Sequence, residues 1–207
     1  MKKEIFVSGI GTDVGKTIAS AIICESLKAD YWKPIQAGDL ENSDSIKVKK
    51  LCPNTLVHQE AYRLQTPASP HCAAEIDGIN IQLDQIVNPQ TNNTLVIEGA
   101  GGLMVPLNKK NTISDLIKPN QHVVLVSRNY LGSINHSLLS LNYLKSININ
   151  KIGIIFVGDD TPSTQEIIKE MSHVSILGRI KIAKEINSEF IKQQAKLLNQ
   201  SLLEFNQ

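Results

Sequence analysis

Residues 8 to 17 read S-G-I-G-T-D-V-G-K-T, directly after the apolar run Ile5-Phe6-Val7 and directly before Ile18-Ala19-Ser20-Ala21-Ile22-Ile23. A strand that breaks into a glycine-rich turn and re-emerges as a helix leaves few folds open. The turn presents successive backbone N–H groups, and the helix N-terminus adds partial positive charge, so the segment is built to hold an anion such as phosphate. Within it, Lys16 can reach outer phosphates and the Thr17 hydroxyl can ligate Mg²⁺. The usual phosphate loop has four residues between its two glycines, whereas five separate Gly9 from Gly15 here. A dinucleotide fingerprint fits worse: Gly9, Gly11 and Gly15 do not match G-x-G-x-x-G, and that reading has no use for Lys16-Thr17.

The rest of the chain supplies partners for that first strand. Apolar runs at Ile5 to Val7, Thr94 to Ile97, Val123 to Val126 and Ile152 to Val157, with a weaker one at Val174 to Leu177, are nearly continuous in Val, Ile and Leu. Strands of a parallel sheet covered on both faces read this way. Helix patterns fall near 16–28, 43–51, 133–146, 163–172 and 185–200, and Thr161-Pro162-Ser163 supplies a start signal for the fourth. Alternation of strand and helix predicts an α/β fold, a mostly parallel sheet with helices on both faces and right-handed crossovers. Neither a linker nor a repeat interrupts residues 1–207, so one domain is expected. Segment 52–93, rich in Pro, Asn and Thr, reads as functional loops over the carboxyl edge of the sheet.

Charge and composition exclude other classes. A formal net charge of +1 gives no argument for nucleic acid or an anionic membrane surface. No apolar run approaches the roughly 20 residues that span a bilayer, and the start of the chain does not read as a signal peptide. Cys24, Cys52 and Cys72 are odd in number and widely spaced, which argues against zinc and against a disulfide framework and fits a reducing cytoplasm.

A phosphate loop with a metal needs a carboxylate beside it. Glu98 follows Leu95-Val96-Ile97 and opens Glu98-Gly99-Ala100-Gly101-Gly102, which places an acid at a strand's carboxyl end with glycines that let backbone approach a ligand. In Asn42-Ser43-Asp44-Ser45, either Ser43 or Asp44 serves as a helix cap on residue pattern alone. In Tyr31-Trp32-Lys33-Pro34-Ile35-Gln36-Ala37-Gly38, a Lys sits at the end of a predicted strand. It reads either as a surface residue or as a cation for a transferring phosphoryl group.

Taken together, G-I-G-T-D-V-G-K-T, Y-W-K-P-I-Q-A-G, N-S-D, A-S-P-H at 68–71, V-I-E-G-A-G-G, G-S-I-N-H at 132–136 and G-D-D-T-P at 158–162 resemble the dethiobiotin synthetases, ATP-dependent ligases of biotin biosynthesis. The motifs occur in family order over about three quarters of the chain, and the longer loop is the family's own form. The resemblance implies a P-loop NTPase-like fold and closure of a cyclic urea on 7,8-diaminononanoate from CO2 (or bicarbonate), ATP and Mg²⁺. One amine takes up CO2 as a carbamate, the carbamate attacks the γ-phosphate, and the second amine displaces phosphate from the resulting anhydride.

By the same resemblance, Lys16 and Lys33 are catalytic, and Thr17, Asp44 and Glu98 surround the metal. The nucleotide lies along Thr12, Asp13, Val14, Gly15, Lys16 and Thr17, with Asp44, Glu98, Gly99, Ala100, Gly101, Gly158 and Asp159. Substrate is held by Lys33 and, across a homodimer interface, by Ser133 and Asn135. The chain departs from the family pattern in three places: Ala37 stands where a hydroxyl residue is usual, Gly158 where an Asn reads adenine, and Lys181 where a Pro belongs. Two other readings remain open at the level of residues. One is a related ATPase of the partitioning or nitrogenase-iron-protein type, although the second loop Lys of those proteins has no counterpart among Ser8 to Gly11. The other is a cobyrinic acid synthase-like amidoligase domain.

Overall fold

The computed structural model describes residues 3–207. β1 (Glu4–Gly9) runs into the glycine-rich loop and α1 (Lys16–Leu27); β2 (Asp30–Trp32), β3 (Ile35–Ala37) and α2 (Asp44–Leu51) follow. Then come β4 (Val57–His58), β5 (Tyr62–Leu64), α3 (Pro70–Ile76), β6 (Leu95–Gly102) and β7 (His122–Arg128). α4 (Ser133–Ser146), β8 (Ile152–Val157), α5 (Pro162–Ser172), β9 (Ser175–Ile180) and α6 (Ser188–Phe205) complete the chain. Seven strands form one sheet in the order β4-β2-β6-β1-β7-β8-β9, and every pairing in it is parallel. A separate parallel pair joins β3 to β5.

The continuous apolar runs follow from burial on two faces. In β1, Ile5 and Val7 join Val96, Val124, Val126 and Ile155 in a core beneath α1 and α6. Phe6 points the other way, with Leu95, Ile97, Val123, Leu125 and Phe156, toward Leu141 and Leu144 of α4 and Ile168 of α5. Side chains alternate across a strand, so a strand covered on both sides has no polar face to show. Each fully buried Ile or Phe contributes about 1.5–3 kcal/mol. α6 is amphipathic: Ile191, Ala195, Leu198, Leu202 and Phe205 are buried, a helical stripe that packs on α1. Its start is fixed by Asn187, whose side chain accepts from Phe190 N at 3.0 Å.

The expected α/β architecture is therefore observed, with differences at the least periodic places. The last helix covers Ser188–Phe205 instead of 185–200. Segment 52–93 contains more than loops: β4 extends the main sheet, β5 pairs with β3, and α3 follows. Strands of two and three residues are too short to show a period.

Candidate active site

The parallel register brings the chemistry to one edge. Tyr31 lies opposite Val96 and Trp32 opposite Ile97, so the next residues along, Lys33 and Glu98, emerge side by side. Val7 of β1 lies opposite Glu98 on its other flank, and the loop that follows β1 closes over the same point. Pro34 then turns the chain out of β2, which leaves Lys33 between two short strands.

The loop itself turns at Gly15, the N-cap of α1, at φ 95°, a left-handed conformation that suits glycine. No side chain caps that end of the helix, which leaves its N–H groups for an anion. Lys16 folds back along the loop and donates from Nζ to Gly11 O at 2.9 Å. Burial holds its pKa below the ordinary lysine value, with the Glu98 charge offsetting only part. Arg128 braces the loop from outside, donating from Nη1 to Asp13 O at 3.2 Å.

Three side chains from two segments converge on Glu98, which is fully buried. Thr17 Oγ1 donates to Glu98 Oε1 at 2.9 Å, Lys33 Nζ donates to the same oxygen at 3.3 Å, and the Tyr31 hydroxyl donates to Oε2 at 3.0 Å. Lys33 also pairs closely with Asp44 Oδ2. Burial lowers the affinity of Lys33 for its proton, but the charges of Glu98 and Asp44 and their hydrogen bonds outweigh it, and its pKa lies above the ordinary value. Burial pushes the Asp44 carboxyl up, and the Lys33 ammonium overcomes that and holds it low. Tyr31, buried beside the Glu98 charge, is raised well above the ordinary phenol value and stays protonated.

The two residues that compete for the cap of α2 divide the work. Ser43 is the N-cap and accepts from Ile46 N at 3.4 Å, while Asp44 is the first helical residue. Asp44 is steadied by Gln36, whose Oε1 accepts from Asp44 N at 3.2 Å and whose Nε2 donates to Gly38 O at 2.9 Å.

These groups line an open cleft of about 700 Å³. Thr12, Asp13, Gly15, Lys16, Thr17, Lys33, Asp44, Glu98, Ala100 and Gly101 all face it, and Ala37 and the 67–70 segment form its far wall. Val14 turns its side chain into the core, leaving only backbone for a ligand. Gly99 does not line the cleft: a Cβ there would meet Ile113 Cγ2 at 3.0 Å and Phe6 Cε1 at 3.1 Å, so its lack of a side chain serves packing. Gly158 and Asp159 lie beyond the loop, where Gly158 O accepts from Arg179 Nη1 at 3.0 Å and Asp159 O from Asn129 Nδ2 at 2.8 Å. Ser133 is buried and Asn135 exposed at the start of α4, whose N-cap is Gly132, and neither lines the cleft of its own chain.

Sequence reasoning missed Tyr31, Gln36 and Arg128. Tyr31 opens the same stretch as Lys33, but its role becomes visible only once the register places Glu98 beside it. Oxygen donors from Thr17, Asp44 and Glu98 suit a hard divalent cation such as Mg²⁺. The Lys33 ammonium between both carboxylates shows that they already face one cationic point.

Comparison with known proteins bears on the family and the fold. A family model described as an AAA domain matches residues 3–189. The ATP-dependent dethiobiotin synthetase BioD of Christiangramia forsetii is 56% identical over 99% of this chain and 100% of the relative. The enzyme of the same name from Cytophaga hutchinsonii is 43% identical over 93% of this chain and 95% of the relative. Among solved structures, a ParA family ATPase from Chlorobium tepidum superposes with a TM-score of 0.58 at 14% identity, covering 100% of this chain and 99% of that one. The cell division ATPase MinD of Pyrococcus furiosus gives 0.57 at 11%, covering 97% of this chain and 99% of that one. The structural likeness establishes the P-loop NTPase fold, and the sequence identity goes further: the chain belongs to the ATP-dependent dethiobiotin synthetase family.

Proposed function

We propose that this chain, acting as one ligase domain, closes the ureido ring of dethiobiotin from 7,8-diaminononanoate, CO2 and ATP. The observation that carries the reading is the meeting of Lys16, Lys33 and the Thr17–Asp44–Glu98 oxygens at one edge of the cleft. A carbamate and a triphosphate are both anions, so bringing them in line requires concentrated positive charge where they meet. Partitioning-type ATPases share only the fold, at 11–14% identity.

The residues divide the work as follows. Backbone N–H groups of residues 12–17 and Lys16 hold the phosphates. Thr17, Asp44 and Glu98 would hold Mg²⁺, which when bound offsets charge on the β- and γ-phosphate oxygens. Lys33 keeps its proton, and an ammonium has three N–H groups. Two are engaged by Asp44 and Glu98, which leaves one to hold carbamate or phosphoryl oxygen. The carbamate oxygen forms a bond to the γ-phosphorus as the bond to ADP breaks. The second amine then adds to the anhydride carbonyl, loses its proton, and inorganic phosphate leaves with the electron pair.

The substrate carboxylate is held by Ser133 and Asn135 from a second copy in a two-fold dimer, a reading supported by the exposure of Asn135 away from its own cleft. Exposed Tyr130, Leu131, Ile134 and Leu139 around it offer apolar surface for such contact. A cytoplasmic setting is consistent with three free cysteines. Among the described residues, no helix is long and apolar enough to cross a membrane.

The test is ATP hydrolysis and cyclic urea formation that require both 7,8-diaminononanoate and bicarbonate. ATP turnover indifferent to the diamine would overturn the proposal in favour of a switch-type ATPase.

A further inference from the structure

We propose that Tyr31 is a positioning residue that fixes the orientation of the Glu98 carboxylate and thereby sets the affinity of the site for its divalent cation. The inference rests on the reading of Glu98 as a metal ligand. Tyr31 is fully buried, and among the described residues the partner of its hydroxyl is Glu98 Oε2 at 3.0 Å. The two oxygens of Glu98 are thus divided: Oε2 goes to the phenol, and Oε1 receives Thr17 and Lys33 at the cleft.

That division needs a cause, because the terminal torsion of a glutamate is broad and nearly two-fold. Left alone, the carboxylate can rotate to face Lys33 with both oxygens. A buried hydroxyl that donates to one oxygen removes that freedom and leaves the other aimed at the cleft. The register explains how the phenol gets there. Tyr31 lies opposite Val96, on the face that also carries Glu98 two residues further along β6. Two residues of strand advance about 6.6 Å, roughly the reach of a tyrosine side chain. Packing alone does not call for the hydroxyl, since the ring sits among Cys24, Val96 and other apolar groups where a phenylalanine would fill nearly the same space. Partners of this kind, one shell out from a metal, cost about 10–100-fold in affinity or activity when removed.

The experiment titrates Mn²⁺ into the full chain with a non-hydrolysable ATP analogue, comparing wild type, Tyr31→Phe and Glu98→Gln. Tyr31→Phe is expected to weaken Mn²⁺ binding about tenfold while leaving metal-free binding of the analogue unchanged. In the Glu98→Gln background, adding Tyr31→Phe is expected to produce little further loss. If Glu98→Gln weakens Mn²⁺ binding and Tyr31→Phe does not, Tyr31 is a packing residue and the inference fails. If neither variant weakens it, the metal role of Glu98 fails and takes the inference with it. Should Tyr31→Phe not fold, 3-fluorotyrosine at position 31 reports directly: its ¹⁹F resonance is expected to shift as Mg²⁺ is added with nucleotide. An unmoved resonance would overturn the inference.

Discussion

Lys33 Nζ lies 3.3 Å from Glu98 Oε1, with both side chains almost wholly removed from solvent. On the proposed reading, a cation that holds substrate and a carboxylate that holds metal therefore neutralise one another inside the protein. Asp44 shares the same ammonium through Oδ2 and has Lys47 Nζ 3.8 Å from Oδ1, so Lys33 holds two carboxylates at once.

Removing Lys33 has consequences of opposite sign for catalysis and for metal. Lys33→Ala is expected to retain nucleotide binding and lose about 10²–10³ in turnover, the scale for one contact that stabilises transition-state charge. It also leaves the buried Glu98 carboxylate without its ion-pair partner and Asp44 with Lys47 alone, and breaking a buried pair from one side costs about 3–5 kcal/mol. Mg²⁺ should therefore raise the unfolding temperature of Lys33→Ala more than that of the wild type. Near-normal turnover, or equal response to Mg²⁺ in thermal unfolding, would remove Lys33 from this role.

The cleft wall depends on a glycine. Gly38 sits at φ +68°, and a Cβ there would meet Pro67 Cα and Cβ at 2.5 Å. Gly38 O also receives the Gln36 side chain that steadies Asp44. Gly38→Ala must therefore part the 67–70 segment from the start of α2, with a left-handed strain of about 1–2 kcal/mol added. A loss of stability accompanied by a raised KM for the diamine is expected. An unchanged KM would show that this wall does not shape the substrate end.

At the opposite edge of the sheet, Asp30 ties the 87–93 segment down by accepting from Thr91 Oγ1, from Asn93 Nδ2 at 2.9 Å and from the ring of His58, 3.2 Å away. Burial pushes the carboxyl up, but these hydrogen bonds outweigh it and its pKa is held below the ordinary aspartate value. Stability from a depressed carboxyl is present above its unfolded pKa of about 3.9 and is lost as pH falls through the folded pKa. Asp30→Asn should therefore be less stable than wild type at neutral pH, with the difference shrinking below about pH 4. Parallel unfolding curves for the two proteins across acid pH would refute this.

How much of this could be read in advance depended on distance along the chain. Lys16 and Thr17 belong to one contiguous motif whose strand-loop-helix context confirms itself. Lys33, Asp44 and Glu98 come from three segments, each of which alone reads as a surface lysine, a cap or a strand end. Only their order along the chain linked them to a family. Tyr31 stood in the same motif as Lys33 but carried no signal of its own, because its contact with Glu98 depends on lying opposite Val96 in a three-residue strand. Gly99 shows the converse, since a glycine next to Glu98 reads as a ligand contact yet is required by Phe6 and Ile113.

Dimer formation can be tested without a structure of the complex. If Asn135 serves the neighbouring cleft, Lys33→Ala and Asn135→Ala are each inactive, but mixing them produces heterodimers with one undamaged site. Partial recovery of activity after subunit exchange is expected. Full activity from a demonstrated monomer would rule out the shared site.

The base end gives the last prediction. The resemblance places an adenine-reading Asn at position 158, where this chain has Gly. The side chain at the end of β8 is that of Val157, whose methyls would lie 3.3–3.4 Å from a Cβ on Gly15. Val157 offers the base no hydrogen bond, and Gly158 offers only backbone. Its N–H already donates to Ile180 O at 3.0 Å, and its carbonyl is taken by Arg179. The neighbouring Asn129 amide spends its N–H groups on Asp159 O and Thr161 Oγ1, both at 2.8 Å. A pocket rejects the wrong base when buried polar groups would go unpaired, and here few polar groups are free to be left so. Phosphate contacts through residues 12–17 still anchor any triphosphate. ATP should therefore be favoured over GTP or CTP by less than about 1–2 kcal/mol, the worth of a neutral hydrogen bond. Calorimetric titration of the three nucleotides at one Mg²⁺ and salt concentration decides it, and a preference for ATP of about a hundredfold, near 2.7 kcal/mol, would show that Asn129 or Arg179 turns to read the base.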